Sequence, residues 1–410
     1  MLRTYFEHPF TLNKLRSGPA GPHLDDFASH LTCKGYSRDT IRRHLRAVGH
    51  LSAWAQTSGL TIRNLDTVAL EQFRQDLESN GSLRYPSGYY TNTFVGAKCF
   101  VTFLQATGIV PALASNAPPA LLTEFCNWMW MQRGVTETTL DAYCPVILDL
   151  LQTLGDQPEC YSAKTLRTFT LERASRHGNS KARIIVTSVR VFLRFLTAVG
   201  RCLLELQYAI PTIACWRRSS LPSYLSAEDI ERLIATCESK TPREMRDRVV
   251  LLLLARLGLR ARDITALKLS DLEWHEGALR VCGKNRRETR LPLPQEIGEA
   301  IWAYLTHHRP QVNTESVFIT VKAPFVPLSR RLVSQIVAHA IRRAGIKTSS
   351  RGARLLRHSA ATAMLRQGVS LETIGAVLRH ASIETTMVYA KVDTVLLRQV
   401  AMPWLEVEPC

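Results

Sequence analysis

At 410 residues the chain is too long for one ordinary domain and implies two or three, while 46% hydrophobic and 21% charged residues exclude a disordered protein. The longest apolar run, Val249 to Ala255, falls far short of the ~20 residues that cross a bilayer, and Met1–Phe10 carries Arg3, Glu7 and His8 rather than a secretory leader. Fifty-two Lys and Arg against 35 Asp and Glu leave a net charge of +17; this favours a polyanionic partner, because each phosphate neutralised releases condensed counterions, although a solvated basic surface, a ribosome-associated protein or an anionic-membrane protein would carry the same excess.

Along the chain, the first segment opens a helix at Lys34-Gly-Tyr-Ser-Arg-Asp-Thr-Ile41, with Ser37 at the N-cap and Ile41, Val48 and Leu51 on one face. Arg38, Arg42, Arg43 and Arg46 line the other face of this helix, as candidate phosphate contacts or as a solvated surface. The segment closes at Phe103-Leu-Gln-Ala-Thr-Gly108, its glycine suited to the position after a helix. Val110 to Pro119, rich in Pro and small residues, reads as a linker. The pattern then repeats: Arg133-Gly-Val-Thr-Glu-Thr-Thr-Leu140 starts a helix capped by Thr136, and Phe195-Leu-Thr-Ala-Val-Gly200 ends the segment. Both ends recur in the same order, so two duplicated helical bundles of four or five helices are expected. A second linker spans Pro211 to Pro222. The ten cysteines stand singly, without C-x-x-C pairs or zinc-finger histidines, so reduced thiols and no structural metal are expected.

The third segment begins with the capping box Ser226-Ala-Glu-Asp229 before Ile230, Leu233 and Ile234. An apolar helix follows from about Arg246 to Leu257. Alternation across Ala278 to Cys282 and Thr289 to Leu293, bridged by Gly283-Lys-Asn-Arg-Arg-Glu288, predicts a β-hairpin with a basic tip. The remainder reads as helix, with turns at Gly345, Gly352 and Gly368. The expected fold is mostly α with a small β-sheet, an α+β chain divided into residues 1–112, 118–212 and 222–410.

This segment also carries the chemistry. Taken singly, Arg260 could satisfy the last carbonyls of a helix, Lys284 could be a solvated tip, Arg354 and Arg357 could share a helical face, His380 could cap a helix and Tyr389 could be core. Together they are the groups needed to break a phosphodiester through a covalent intermediate. A tyrosine oxygen attacks phosphorus, arginines hold the non-bridging oxygens where charge builds, and a lysine protonates the departing sugar oxygen.

The matching stretches are Leu257-Gly-Leu-Arg-Ala-Arg-Asp263, Val281-Cys-Gly-Lys284 with Leu291-Pro-Leu293, Leu356-Arg-His-Ser-Ala-Ala-Thr362, and Leu378-Arg-His-Ala-Ser-Ile-Glu-Thr-Thr-Met-Val-Tyr389. In this order and spacing, from Leu221 to Thr394, the chain resembles the tyrosine recombinases of the phage-integrase and Xer type. The resemblance implies that Arg260 and Arg357 clamp the scissile phosphate, Lys284 is the general acid, His380 donates to the phosphate and Tyr389 forms a 3′-phosphotyrosyl link. It implies that Asp263 braces the arginines and that His358 stands behind the reacting groups. Gly134 to Gly200 would fill the place of the family's core-binding domain. The preceding bundle is extra, and Leu396, Leu397, Val400 and Met402 would form a tail that packs on a neighbouring protomer.

The chain departs from the family pattern at four places, Arg354, Arg379, Asn285 and Arg262, the last standing where a small polar residue is common. Arg354 stands where the family usually has histidine; a guanidinium cannot take the phenol's proton, but it can donate to the phosphate. Arg379 and Asn285 replace a common glycine, and Arg379 is a further candidate phosphate contact. The expected activity is site-specific recombination or integration on double-stranded DNA with inverted half-sites. It would need no cofactor and no metal, would run in a homotetramer at synapsis, and would serve a mobile element, with partner recombinases of the same element as further candidates. The bacterial cytoplasm or nucleoid is the expected place. A DNA-binding factor with a degenerate recombinase site and a type IB topoisomerase-like enzyme are the alternatives.

Overall fold

The computed structural model describes residues 1–80, 89–111, 118–213, 221–238, 240–283, 288–380 and 382–392. The expected linkers fall largely between these stretches. So do Lys284 and Asn285 and the tail residues Leu396, Leu397, Val400 and Met402, all of which lie outside the described residues.

Two short helices, α1 (Leu2–Tyr5) and α2 (Pro9–Arg16), precede two successions of four. The first is α3 (Leu24–Cys33), α4 (Arg38–Thr57), α5 (Thr67–Asn80) and α6 (Tyr89–Ala106). The second is α7 (Ala120–Arg133), α8 (Glu137–Leu154), α9 (Ala163–Ser175) and α10 (Asn179–Ala198). Gly108 and Gly200, the glycines expected to close helices, have positive φ, and so do Gly35 and Gly134, which follow α3 and α7. Ser37 accepts a long bond from Thr40 N–H at the start of α4, whereas Thr136 accepts no backbone N–H at the start of α8.

The chain forms two compact units. One gathers Trp54–Tyr90 and Ala97–Arg217. Its core is built on Phe125, Phe192 and Phe195, whose rings meet at centroid distances of 5.4 to 6.0 Å, the edge and tilted contacts that aromatic quadrupoles favour.

The other unit gathers Met1–Ala53, Thr91–Gly96 and Arg218–Cys410. Its large core surrounds α12 (Pro242–Arg256), in which Val249 to Leu254 are wholly buried. A helix hydrophobic all round must lie at the centre of a core, and α12 packs against α11 (Ala227–Ala235), α13 (Ala261–Ala266), α14 (Gln295–Ala303), α15 (Arg330–Arg343) and α16 (Ala353–Arg366). Ser226 caps α11 as its sequence requires. The start of α12, placed at Arg246 from its apolar run, lies a turn earlier, where Thr241 and Glu244 form a capping box and Pro242 takes the first position.

The two expected strands pair, the second beginning one residue early, while the basic tip at 284–287 lies outside the described residues. β2 (Ala278–Cys282) and β3 (Glu288–Pro292) pair antiparallel, with Leu279 opposite Leu291 and both buried. A two-residue strand, β1 (Leu272–Glu273), completes the sheet in the order β1-β2-β3. After α16 come α17 (Leu371–Val377) and α18 (Ile383–Thr386), with a smaller apolar cluster of Ala361, Ile374, Leu378 and Tyr389 between them.

The turn after α12 depends on Gly258. Its φ is +59°, and a Cβ there would stand 2.5 Å from Leu378 Cδ2. Gly258→Ala therefore meets both a left-handed backbone and a filled core, and should lose roughly 1–3 kcal/mol. Thermal unfolding should show a midpoint several degrees below that of the unsubstituted protein, and an unchanged midpoint would contradict this packing.

Candidate active site

The site assembles where three chain segments meet, the turn from α12 into α13, the first half of α16 and the end of α17. Arg357, buried on α16, links them. One terminal nitrogen donates to the Gly258 carbonyl and the other to the Leu378 carbonyl. Arg260, at the start of α13, donates from Nη2 to the Arg379 carbonyl at 2.9 Å. Two guanidiniums thus satisfy successive carbonyls at the end of α17, which have no partners within their own helix. Burial lowers the pKa of both arginines, most strongly that of Arg357, but a guanidinium keeps its proton at neutral pH.

The end of α17 is a Schellman turn. His380 N–H donates to the Gly375 carbonyl and Arg379 N–H to the Ala376 carbonyl. That geometry puts Arg379 in the left-handed region, φ +55°, the one non-glycine residue with positive φ among the described residues. An L-residue pays about 1–2 kcal/mol there, and the Arg379 ion pair to Asp263 offsets the cost. Asp263 is itself buried and also accepts the Arg260 backbone N–H at 2.9 Å. Arg379 Nε and Nη1 are buried with no hydrogen-bond partner among the described residues.

The Schellman turn also aims His380. Its Nδ1 lies 2.7 Å from the hydroxyl of Thr386, a fully buried residue on α18. Tyr389 follows and is 2% exposed, its ring parallel to that of His380 at 6.4 Å. Its oxygen lies 2.8 Å from Nδ1 of His358. His358, expected to stand behind the reacting groups, is therefore in direct contact with the phenol. Burial raises the Tyr389 pKa, while Arg357, Arg354 and Arg260 pull it back. Arg354 is exposed, one turn before Arg357 on the same helix, and acts on the phenol through its charge.

The remaining candidates lie elsewhere. Arg38, Arg42 and Arg46 line a separate cleft of about 410 Å³ together with Tyr5, Phe6, Glu7 and His8. Arg42 and Arg46 lie over the Phe6 ring at 5.8 and 5.7 Å, and Arg43 is exposed beside them. Thr386 was not singled out from sequence, although it stands within the last motif. Nothing in its residue type marks it, and only the fold brings its hydroxyl to His380. Among the described residues no group of three or more His, Cys, Asp or Glu is placed to hold a metal ion, and no helix is long and apolar enough to cross a membrane.

One comparison with known proteins falls on this region and the others span most of the chain. Residues 223–395 match the phage integrase family. Over 421 aligned residues the chain is 30% identical to y4rA, named an integrase/recombinase, from Sinorhizobium fredii (strain NBRC 101917 / NGR234), covering 98% of this chain and 99% of that one. Among solved structures, the XerH site-specific recombinase bound to a palindromic difH substrate aligns with a TM-score of 0.54 at 16% identity, over 82% of this chain and 94% of that one. A lambda integrase tetramer bound to a Holliday junction aligns at 0.51 and 17% identity, over 71% of this chain and 85% of that one.

The electrostatics of the site set a pH dependence. Burial and then the neighbouring arginines hold both His358 and His380 down at about 4, below the ordinary 6.5. Both are neutral at pH 7. Because the folded values lie below the unfolded ones, their contribution to stability is complete above pH 6.5 and is lost as the pH falls towards 4. NMR titration of the imidazole ring protons should find both midpoints well below the ordinary histidine range; an ordinary midpoint for either would contradict the arrangement.

Proposed function

The chain belongs to the phage integrase family, the tyrosine-type site-specific DNA recombinases, and we propose that Tyr389 is its nucleophile, with Arg260, Arg357, Arg354 and His380 holding the scissile phosphate. The observation that carries this reading is the meeting of buried Arg357 and Tyr389 with half-buried Arg260 and His380, although up to 129 positions separate them along the chain. The phenol attacks phosphorus, and the guanidiniums stabilise the charge that builds on the non-bridging oxygens. Lys284 serves as the acid for the departing 5′ oxygen. The phosphotyrosyl ester retains the energy of the broken bond, so rejoining requires no nucleotide.

Arg379 adds to the phosphate site. Its two buried nitrogens without a partner among the described residues are groups that a phosphate oxygen admitted to the site would satisfy, since buried N–H groups without acceptors are costly. Asp263 holds it in place. Arg38, Arg42, Arg43 and Arg46 would contact duplex backbone from the N-terminal bundle, and the excess of +17 supports a polyanionic partner.

The proposed organisation has three parts. Residues 1–112 form an extra helical module, 118–212 the core-binding module and 222–410 the catalytic module; the repeated succession of four helices supports the first two. The proposed substrate is double-stranded DNA with inverted half-sites, bound by four copies at synapsis, as in the lambda integrase tetramer of similar fold. A mobile element in a bacterial cytoplasm is the proposed setting, where further recombinases of that element would be partners.

Tyr389→Phe tests the assignment. On a nicked suicide duplex it should form no covalent adduct while keeping nearly unchanged affinity for the same DNA. An adduct that persists in the phenylalanine variant would overturn the choice of nucleophile.

A further inference from the structure

We infer that His358 is the proton acceptor for the attacking phenol, so that the base comes from the residue after Arg357 and not from position 354. The inference rests on the reading of Tyr389 as nucleophile and deepens it.

The geometry is direct. His358 Nδ1 lies 2.8 Å from Tyr389 Oη, with the rings edge to face at 5.5 Å and 62°. This is hydrogen-bonding distance between a base and the atom that must lose a proton. With the imidazole proton on Nε2, the phenol donates to the Nδ1 lone pair.

The other groups around the phenol cannot take that proton. Arg260, Arg354 and Arg357 have no lone pair to offer. Nδ1 of His380 is occupied by Thr386, and its ring lies parallel to the phenol rather than end-on. The Asp263 carboxylate is engaged by Arg379 and by the Arg260 backbone. Among the described residues, His358 makes the one hydrogen bond to Tyr389 Oη.

The protonation state fits the role. Burial, Arg354 and Arg357 hold the imidazole at about 4, so it is unprotonated and able to accept at neutral pH. The same arginines favour phenolate. A DNA phosphate entering the site brings negative charge, which raises the basicity of the imidazole when the proton must move. Arg354 therefore has an electrostatic part to play and need not be a base.

The step balances. As Oη bonds to phosphorus, its proton passes to His358 Nδ1. The bond from phosphorus to the 5′ oxygen breaks, and that oxygen takes a proton from the separate acid assigned to Lys284. In rejoining, the 5′ hydroxyl returns its proton to that group as it attacks phosphorus, the bond to Oη breaks, and the imidazolium gives the phenol its proton back.

The test uses the full-length protein and a nicked suicide duplex, with single-turnover rates of adduct formation. His358→Asn places an amide near the position of Nδ1 but offers no base; His358→Gln serves where the asparagine variant does not fold. At neutral pH the loss of a general base should slow adduct formation by about 10²-fold or more, with DNA affinity retained. Replacing Tyr389 by 3-fluorotyrosine, a more acidic phenol, should recover much of that loss in the variant and change the unsubstituted protein little. A variant that cleaves at the unsubstituted rate would overturn the inference, as would a slow variant to which the acidic phenol restores nothing, because His358 would then only position the ring. An unsubstituted protein that forms no adduct would overturn the nucleophile reading itself, and this inference with it.

Discussion

The buried guanidinium of Arg357 is the tie on which the site depends. It donates to the carbonyls of Gly258 and Leu378, residues 120 positions apart. Neither carbonyl has a partner within its own helix, and hydrogen bonds from a charged donor contribute about 1.5–3 kcal/mol each. Arg260 repeats the device one residue along, at the Arg379 carbonyl. A pair of helix ends that would otherwise carry unsatisfied acceptors becomes the scaffold that brings two arginines, a histidine and a tyrosine together.

The scaffold is built from turns at helix ends. Gly258 ends α12 with the backbone close against Leu378, and the Schellman turn of α17 sets His380 after Arg379. Glycine would be the economical residue at position 379. Arginine takes the strained conformation instead, is held by Asp263, and leaves two donors free of partners among the described residues. Strain kept at such a position, with the means to keep it nearby, is characteristic of functional sites.

Much of this was legible in the residues. The cap at Ser226, the two strands of the hairpin and the closing glycines Gly108 and Gly200 follow from local rules, and the structure has them. The apolar run of α12 hides its start, because the true N-terminus is marked by Thr241, Pro242 and Glu244 ahead of that run. The contacts of His358 with Tyr389 and of His380 with Thr386 were not legible. The first joins residues 31 apart across two elements, and the second depends on how a short helix folds back; no periodicity encodes either. Arg354 illustrates the converse, because its departure from the family pattern was plain in sequence while its effect, a charge acting on the phenol from an exposed position, required the fold.

The central claim is that one guanidinium both assembles the site and serves it. Arg357→Lys tests this most directly, because it keeps the charge and removes the two-carbonyl fork. Thermal unfolding and adduct formation measured on the same preparation should show a clear fall in midpoint together with loss of cleavage. A lysine variant that melts with the unsubstituted protein and cleaves at its rate would contradict the account.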